Sequence, residues 1–191
     1  MENFEKDIHV NLVIAPYVQK ATALRGVKRY VGGNQFRHAL ATFAILIDYH
    51  YTDAVLLKAS VIHDLIEDVK NTSQDEIRNL DKDGPQVLKL VLEVTRMQGE
   101  PKEDFLKRIL LEGSTNAKIL KCADRISNLT DLHPDSIDRD NIINTLFFTK
   151  KYVIPMAEEV NSDMLVELLD LLKRRETYME LFHKNLIHEK F

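Results

Sequence analysis

The sequence contains a single cysteine, no tryptophan, six glycines and five prolines among 191 residues. Because Cys122 stands alone, an internal disulfide framework and a zinc site built from several thiolates are both excluded. No apolar run reaches the ~18 residues that a membrane-spanning helix needs. The N-terminal residues Met-Glu-Asn-Phe-Glu-Lys lack the pattern of a signal peptide. We therefore expect a protein of the reducing cytoplasm.

A strong charge of either sign is also missing. The formal net charge is −4, so the sequence predicts no broad cationic surface for nucleic acid or for an anionic membrane. Hydrophobic residues make up 45% of the chain and charged residues 29%, values typical of a globular protein. The length suits one domain with a substantial core, and we expect residues 1–191 to form a single domain.

Because glycine and proline are scarce, most of the chain carries apolar residues at the i, i+3, i+4 spacing of an amphipathic helix. The spacing predicts an all-α fold, a single-domain helical bundle without internal repeats. Helices are predicted over residues of about 7–27, 35–50, 53–70, 73–80, 85–95, 102–111, 115–132, 139–153, a short stretch after 155, and 162–189. The buried stripe predicted for the first helix includes Val13 and Tyr17, and the core-facing residues predicted for the second are Leu40, Phe43, Ala44 and Ile47. Thr52 is the predicted N-cap of the third helix, and the motif at residues 133–135 is predicted to break the helix before it.

Residues 58–70 form the most informative stretch, because an apolar helix there acquires four ionisable side chains: His63, Asp64, Glu67 and Asp68. On a continuous helix, at ~100° per residue, His63 and Glu67 share one face and Asp64 and Asp68 a neighbouring face. Carboxylates crowded together in apolar surroundings repel each other and are costly to desolvate. A bound cation would relieve both costs.

Two residues elsewhere can complete a cation site. His38 lies at a helix start directly after a glycine loop, and Asp124 lies in a core-like helix, where a buried acid needs a partner. Adjacent residues of a helix point in different directions, so His63 and Asp64 are not expected to share one face. Imidazole and carboxylate ligands suit Mn, Fe, Co, Zn or Mg. Each residue alone is better explained by an ordinary core or surface role, and only the combination favours a metal site.

The combination of His38, His63-Asp64 and Asp124 resembles the pattern of the HD metal-dependent phosphohydrolases, which are helical bundles. Three segments are similar to those of RelA/SpoT-type alarmone hydrolases: Arg-Tyr-Val-Gly-Gly-Asn-Gln-Phe-Arg-His at 29–38, His-Asp-Leu-Ile-Glu-Asp at 63–68 and Lys-Cys-Ala-Asp-Arg-Ile-Ser-Asn at 121–128. The resemblance covers residues of about 10–150 and leaves no room for a synthetase domain. It is therefore closest to the stand-alone small alarmone hydrolases.

This resemblance implies a role for each matching position. The implied metal ligands, usually of Mn²⁺, are His38, His63, Asp64 and Asp124. The implied catalytic carboxylates are Glu67 and Asp68, and the implied nucleotide contacts are Arg29 and Asn128. Further cations for an anionic ligand are expected from Arg37, Lys121 and Arg125.

Three positions depart from the family pattern: Tyr30 replaces a lysine, Ala39 a proline, and Ser127 a frequent histidine or tyrosine. Tyr30 leaves the choice between guanine and adenine nucleotides open. The expected activity is metal-dependent hydrolysis of the 3′-pyrophosphate of (p)ppGpp, giving GDP or GTP and pyrophosphate. The alternatives are another HD nucleotide phosphohydrolase (a 5′-nucleotidase or an adenosine-alarmone hydrolase) and a non-catalytic nucleotide-sensing module. The expected partner is a small-molecule nucleotide, not nucleic acid or a membrane, with a homodimer through the C-terminal helix as a further option.

Overall fold

A computed structural model describes residues 13–132 and 139–188, with side chains as far as residue 181. The all-α prediction is confirmed: within these ranges the only β-type pairing is an isolated bridge between Lys28 and Asn34. The α-helices are α1 (Ala15–Ala21), α2 (Gln35–Asp48), α3 (Ala54–Ile62), α4 (Leu65–Asp68), α5 (Gln74–Arg78), α6 (Gly84–Val94), α7 (Lys102–Glu112), α8 (Thr115–Thr130), α9 (Arg139–Phe148), α10 (Ile154–Val160) and α11 (Ser162–His188). A 3₁₀ turn (Thr22–Gly26) follows α1, and a π-helical turn (Thr149–Val153) joins α9 to α10.

Side-chain caps fix where several helices begin. Asn34, Ser73 and Ser114 each accept a hydrogen bond from the backbone N–H three residues on, at 3.0, 3.2 and 3.2 Å. The prediction of Thr52 as a cap is wrong, because Asp53 accepts the backbone N–H of Leu56 at 2.7 Å instead. An aspartate at this position satisfies an N–H group that would otherwise lack a partner.

The first helix is shorter than predicted. Residues 7–12 of the prediction lie outside the described residues, and α1 ends at Ala21, where the backbone tightens into the 3₁₀ turn. The Thr22 hydroxyl donates to the Gln19 carbonyl at 2.6 Å, a local bond of the kind that competes with helix continuation. Val13, predicted to be buried, is 58% exposed, whereas Tyr17 is buried as expected.

The core is built around α3 and α8. Every residue from Leu56 to Ile62 is buried, so α3 is covered on all sides by its neighbours. α2 packs against both α3 and α8, while α6 and α1 also pack against α3 and α11 covers α8. The end of α3, the start of α2 and the middle of α8 therefore lie next to one another.

α2 buries a different face from the one predicted. His38, Ala39, Thr42 and Leu46 are its buried residues, whereas Ala44, predicted to face the core, is exposed. The predicted core residues Leu40, Phe43 and Ile47 are half-buried and pack against the hydrophobic core from its edge. This rotation places the His38 ring inside the bundle.

The continuous helix predicted through residues 53–70 is wrong. α3 ends at Ile62, His63 and Asp64 form a turn, and α4 begins at Leu65. The ring Nδ1 of His63 bonds to the Ser60 carbonyl oxygen at 2.7 Å, at the end of α3 where helix carbonyls need partners. The face-sharing geometry of an unbroken helix does not apply to His63 and Glu67.

The region near Pro155 also differs from prediction. The helix predicted over 139–153 becomes α9 and a π-helical turn, and Pro155 lies in the first turn of α10. Proline lacks a backbone N–H, and its ring crowds the carbonyl of the residue four positions earlier. The regular α-helical hydrogen bonding is therefore replaced by the wider π-helical turn at Thr149–Val153. The predicted break at 133–135 and the predicted helix end at 189 lie outside the described residues. Over 13–132 and 139–188, no helix combines the length and apolar character required to cross a bilayer.

A buried lysine ties three segments together. Lys58, in α3, has only 2% of its surface exposed, and its Nζ donates to Asp81 at 2.7 Å and to Asp83 at 2.6 Å. The Tyr17 hydroxyl donates to the other oxygen of Asp81 at 2.7 Å. Burial by itself lowers the pKa of Lys58, but the two carboxylates outweigh it and leave the pKa raised. The ammonium group therefore stays charged and joins α1 and α3 to the start of α6.

Substituting Lys58→Ala should lower the free energy of unfolding by ~3–5 kcal/mol, because two partly buried carboxylates lose their cation. The control is Lys20→Ala, which removes an exposed ion pair with Glu76 and should cost ~1 kcal/mol or less. Urea denaturation followed by circular dichroism measures both. Equal losses in the two variants would contradict a structural role for the buried network.

Candidate metal centre

Side chains from three helical segments converge on one buried point. His38 lies in the first turn of α2, His63 follows the end of α3, and Asp124 lies in the middle of α8. Each offers a ligand atom, and the three atoms lie within 4.8 Å of one another. His38 Nε2 is 3.0 Å from Asp124 Oδ1, and His63 Nε2 is 3.9 Å from the same oxygen. All three residues are at most 5% exposed.

Asp64 reaches the same point. Its Oδ2 lies 3.3 Å from His63 Nε2 and 3.6 Å from His38 Nε2. The expectation that His63 and Asp64 point in different directions assumed an unbroken helix, and the turn between α3 and α4 removes that restriction. The structure thus brings together all four residues that the resemblance implied as metal ligands.

The donor set fits a divalent cation. His63 Nδ1 bonds the Ser60 carbonyl, which must accept, so Nδ1 carries the hydrogen and Nε2 presents its lone pair when the ring is neutral. Within the part of the chain that the structure describes, buried His63 Nε2 makes no hydrogen bond of good geometry. His38 Nδ1 lies 2.9 Å from the Ser127 hydroxyl, an outer contact of the kind that orients metal-binding imidazoles. A cation would satisfy the unpaired nitrogen.

The charges at this centre control each other's protonation. Burial by itself lowers the pKa of His63, but the Asp64 and Asp124 carboxylates outweigh it and raise that pKa to about 9. Burial acts to raise the pKa of Asp124, yet Lys121 at 2.7 Å and the two imidazoles outweigh it and hold that pKa well below its usual range. Without a cation, the centre therefore keeps ionised carboxylates and a protonated His63 at neutral pH.

The two further acidic residues belong to α4. Asp68 Oδ2 accepts a hydrogen bond from Gln35 Nε2 at 2.7 Å, and the same nitrogen lies 3.3 Å from Asp64 Oδ2. Burial raises the pKa of Asp68, with Asp64 and Glu67 adding to the effect and Gln35 opposing it. Sequence reasoning missed Gln35, although its place at the start of α2, one turn before His38, was a usable signal.

Glu67 is held from another direction. Its Oε2 accepts the backbone N–H of Arg96 at 3.2 Å, and the Arg96 guanidinium Nη2 lies 3.4 Å from Oε1. Arg96 follows α6 and was not identified from the sequence, because only the folded loop brings it to α4.

The two residues implied as nucleotide contacts are joined to the centre. Arg29 donates to Asn128 Oδ1 at 2.8 Å and to Asp131 Oδ2 at 2.6 Å. Asn128 Nδ2 in turn donates to Asp124 Oδ1 at 2.5 Å. Arg29 therefore connects the glycine loop to the C-terminal end of α8, close to a candidate metal ligand.

A cavity of about 450 Å³ opens over these groups. Its acidic lining consists of Asp64, Glu67, Asp68 and Asp124, and its cationic lining consists of Lys28, Arg29, Arg96, Lys102, Lys121 and Arg125. Partial burial and the nearby charges of Arg125, Lys121 and Arg96 lower the pKa of Lys102 to about 8. Arg37, expected to help bind an anion, does not line the cavity: its guanidinium donates to the Gly32 carbonyl at 3.2 Å. The crowded cations create a local potential suited to an anionic ligand.

Binding of a divalent cation should be strongly pH-dependent. Because His63 has a pKa of about 9 in the cation-free centre, its proton must leave before Nε2 can coordinate. The apparent affinity for Mn²⁺ should therefore rise by up to about tenfold per pH unit from pH 7 and level off above about pH 9. Titration calorimetry in buffers of different ionisation enthalpy measures both the affinity and the released proton.

The matched variant is His63→Ala, which should lose the tight site at every pH. An affinity for Mn²⁺ that stays constant between pH 7 and 9 in the wild-type protein would contradict coordination by His63.

Comparisons with known proteins agree with this geometry. The HD domain family profile matches residues 16–145, more than half of the chain. The chain is 29% identical over 146 residues to guanosine-3′,5′-bis(diphosphate) 3′-pyrophosphohydrolase MESH1 of Drosophila melanogaster, covering 72% of this chain and 79% of that protein. It is 41% identical over 86 residues to the Homo sapiens protein of the same name, covering 43% of this chain. That match spans 46% of the human protein's length.

A solved structure extends the comparison to the fold. The structure described as a metazoan ortholog of SpoT that hydrolyzes ppGpp aligns with a TM-score of 0.73 at 24% identity, covering 84% of this chain and 93% of that one. The family profile spans α1 to α9, and the His/Asp centre lies inside the matched region. The chain therefore belongs to the HD domain family.

Proposed function

We propose that this protein is a metal-dependent phosphohydrolase that removes the 3′-pyrophosphate of (p)ppGpp, releasing GDP or GTP and pyrophosphate. One cavity carries the proposal: it is lined by His38, Asp64 and Asp124 of the His/Asp centre, by the Glu67-Asp68 pair and by a cationic wall. The cations suit a polyanionic substrate, and a metal centre next to acid and base groups suits hydrolysis at phosphorus. The names of the relatives with 29% and 41% identity support the same activity.

The residues that would hold the metal are His38, His63, Asp64 and Asp124. Mn²⁺ is the ion we propose, because the imidazole and carboxylate ligands suit it and the family resemblance points to it. When bound, such an ion lowers the pKa of a water molecule and offsets negative charge on the attacked phosphate.

The protein's own groups would supply positioning and proton transfer. The proposed reaction adds water to the phosphorus attached to the 3′ oxygen and breaks the bond between them. Glu67, on the cavity wall, orients the water and takes its proton. Asp68, whose burial raises its pKa, is suited to hold a proton and to pass it to the departing 3′ oxygen. Lys102, Lys121 and Arg125 would bind the pyrophosphate.

One observation favours a second candidate, hydrolysis of a different nucleotide by the same centre. Tyr30 stands where the alarmone hydrolases carry a lysine, lines the cavity and is 91% exposed. An exposed aromatic ring at the cavity mouth can stack on any base, so an adenosine alarmone is the alternative substrate.

A cytoplasmic location and a homodimer through α11 remain predictions. Light scattering of the purified protein would measure its mass in solution and so test the homodimer.

Substituting Glu67→Gln should lower turnover of ppGpp by ~100-fold or more, because the neutral amide cannot take a proton from water. Metal content should stay near one Mn²⁺ per chain. His63→Ala should lose both metal and activity. Anion-exchange separation of GDP and pyrophosphate, combined with elemental analysis of the metal, measures both properties; an active Glu67→Gln variant would remove that residue from the mechanism.

Substituting Lys102→Met should raise the KM for ppGpp by about tenfold with little change in kcat, because one charge-assisted phosphate contact is lost. Lys89→Met is the matched control, since Lys89 is exposed on α6 and does not line the cavity. Steady-state kinetics at saturating Mn²⁺ measures both variants. A kcat that falls while KM stays constant would contradict a binding role for Lys102.

A further inference from the structure

Arg96 makes two contacts with the carboxylate of Glu67, one to each oxygen. Its backbone N–H donates to Oε2 at 3.2 Å, and its guanidinium Nη2 lies 3.4 Å from Oε1. The Glu67 side chain is 32% exposed, so packing alone does not restrict its rotamers. A glutamate free to change rotamer would hold a water molecule in several orientations, which weakens proton transfer. The paired contacts restrict it to one orientation.

The loop that carries Arg96 is itself fastened by Arg108 of α7. The Arg108 guanidinium contacts both carboxylate oxygens of Glu100, at 2.9 and 3.0 Å. It also donates to the backbone carbonyls of Glu93 and Thr95, each at 3.1 Å. The second Glu100 oxygen accepts the N–H of Met97 at 2.9 Å. Arg108 therefore fixes the backbone on both sides of Arg96.

We propose that Arg96 is a positioning residue that holds Glu67 in its working orientation, and that Arg108 acts on the reaction only by holding the loop of Arg96. The proposal rests on the role of Glu67 given under the proposed function. Contacts run from α7 through the loop at residues 95–101 to α4. This assigns a function to a loop that supplies none of the candidate metal ligands.

Arg96 also lines the cavity, which gives a competing role as a direct phosphate contact. The two roles differ in their kinetic effects. A residue that only positions Glu67 changes kcat, because the orientation of Glu67 matters in the transition state and not for binding. A phosphate contact already made in the bound substrate changes KM.

The first test compares Arg96→Met and Arg96→Lys with the wild-type protein, using whichever nucleotide the wild-type protein hydrolyses with Mn²⁺. Arg96→Met should lower kcat by about tenfold, with KM changed less than about twofold. Arg96→Lys should recover part of the loss, since it restores a cation near Oε1. The control is Arg78→Met, because Arg78 is an exposed residue of α5 outside the cavity. A raised KM with unchanged kcat would overturn the proposal.

The second test asks whether the effect passes through Glu67. Arg96→Met should have no further effect in a Glu67→Gln background, because the group it positions has already been disabled. Arg108→Met should lower kcat in the same direction as Arg96→Met, and the two losses should not add. Full additivity of Arg96→Met with Glu67→Gln would show an independent role and overturn the proposal.

The third test needs no substrate, so its outcome is separate from that of the proposed function. In ¹⁵N-labelled protein, Glu67→Ala should shift the Arg96 amide signal and speed its hydrogen exchange. Arg108→Met should speed exchange at Arg96 and Met97. An Arg96 amide signal that does not respond to Glu67→Ala would show that the contact is not formed and would overturn the proposal, whichever nucleotide is hydrolysed.

Discussion

The close approach of His38, His63 and Asp124 is the constraint on which the rest of the site depends. Each side chain is buried, each comes from a different helical segment, and their ligand atoms lie within 4.8 Å of one another. Buried ionisable groups are tolerated only when they are paired or bind a metal, and within the described part of the chain His63 Nε2 makes no hydrogen bond of good geometry. The helices must therefore pack so that α2, α3 and α8 meet at this point. The buried residues of α3 pack against the neighbouring helices, and the turn after α3 directs His63 and Asp64 toward this point.

Charge is distributed unevenly around this centre. Carboxylates of α4 and α8 surround the ligand atoms, while arginines and lysines from α7, α8 and two loops line the remaining wall of the cavity. Burial and the neighbouring charges of Arg125, Lys121 and Arg96 together lower the pKa of Lys102 to about 8. A ligand with several phosphate charges would reduce the repulsion among these cations. A divalent cation would likewise reduce the repulsion among the carboxylates. The two halves of the cavity are thus complementary to a metal-bound polyphosphate.

Much of this arrangement could be predicted from the sequence, and the failures have physical causes. Helix starts at Ser73 and Ser114 follow from local capping, and His38 lies in a first turn as predicted, because these features depend on neighbours in the chain. The break after Ile62 could not be predicted, since no glycine or proline marks it in the sequence and the turn depends on a bond from the His63 ring to the Ser60 carbonyl. Arg96 could not be identified from the sequence because its contact joins segments 29 residues apart, and no local pattern records such a contact.

The two imidazoles and the two aspartates are expected to bind one divalent cation. The most direct test is a crystal structure of the protein grown with Mn²⁺, with anomalous scattering measured at the manganese edge. The account predicts one strong peak about 2.0–2.3 Å from His38 Nε2, His63 Nε2 and an oxygen of Asp124, with Asp64 alongside. A peak elsewhere, or a well-ordered centre without a peak at saturating Mn²⁺, would contradict it.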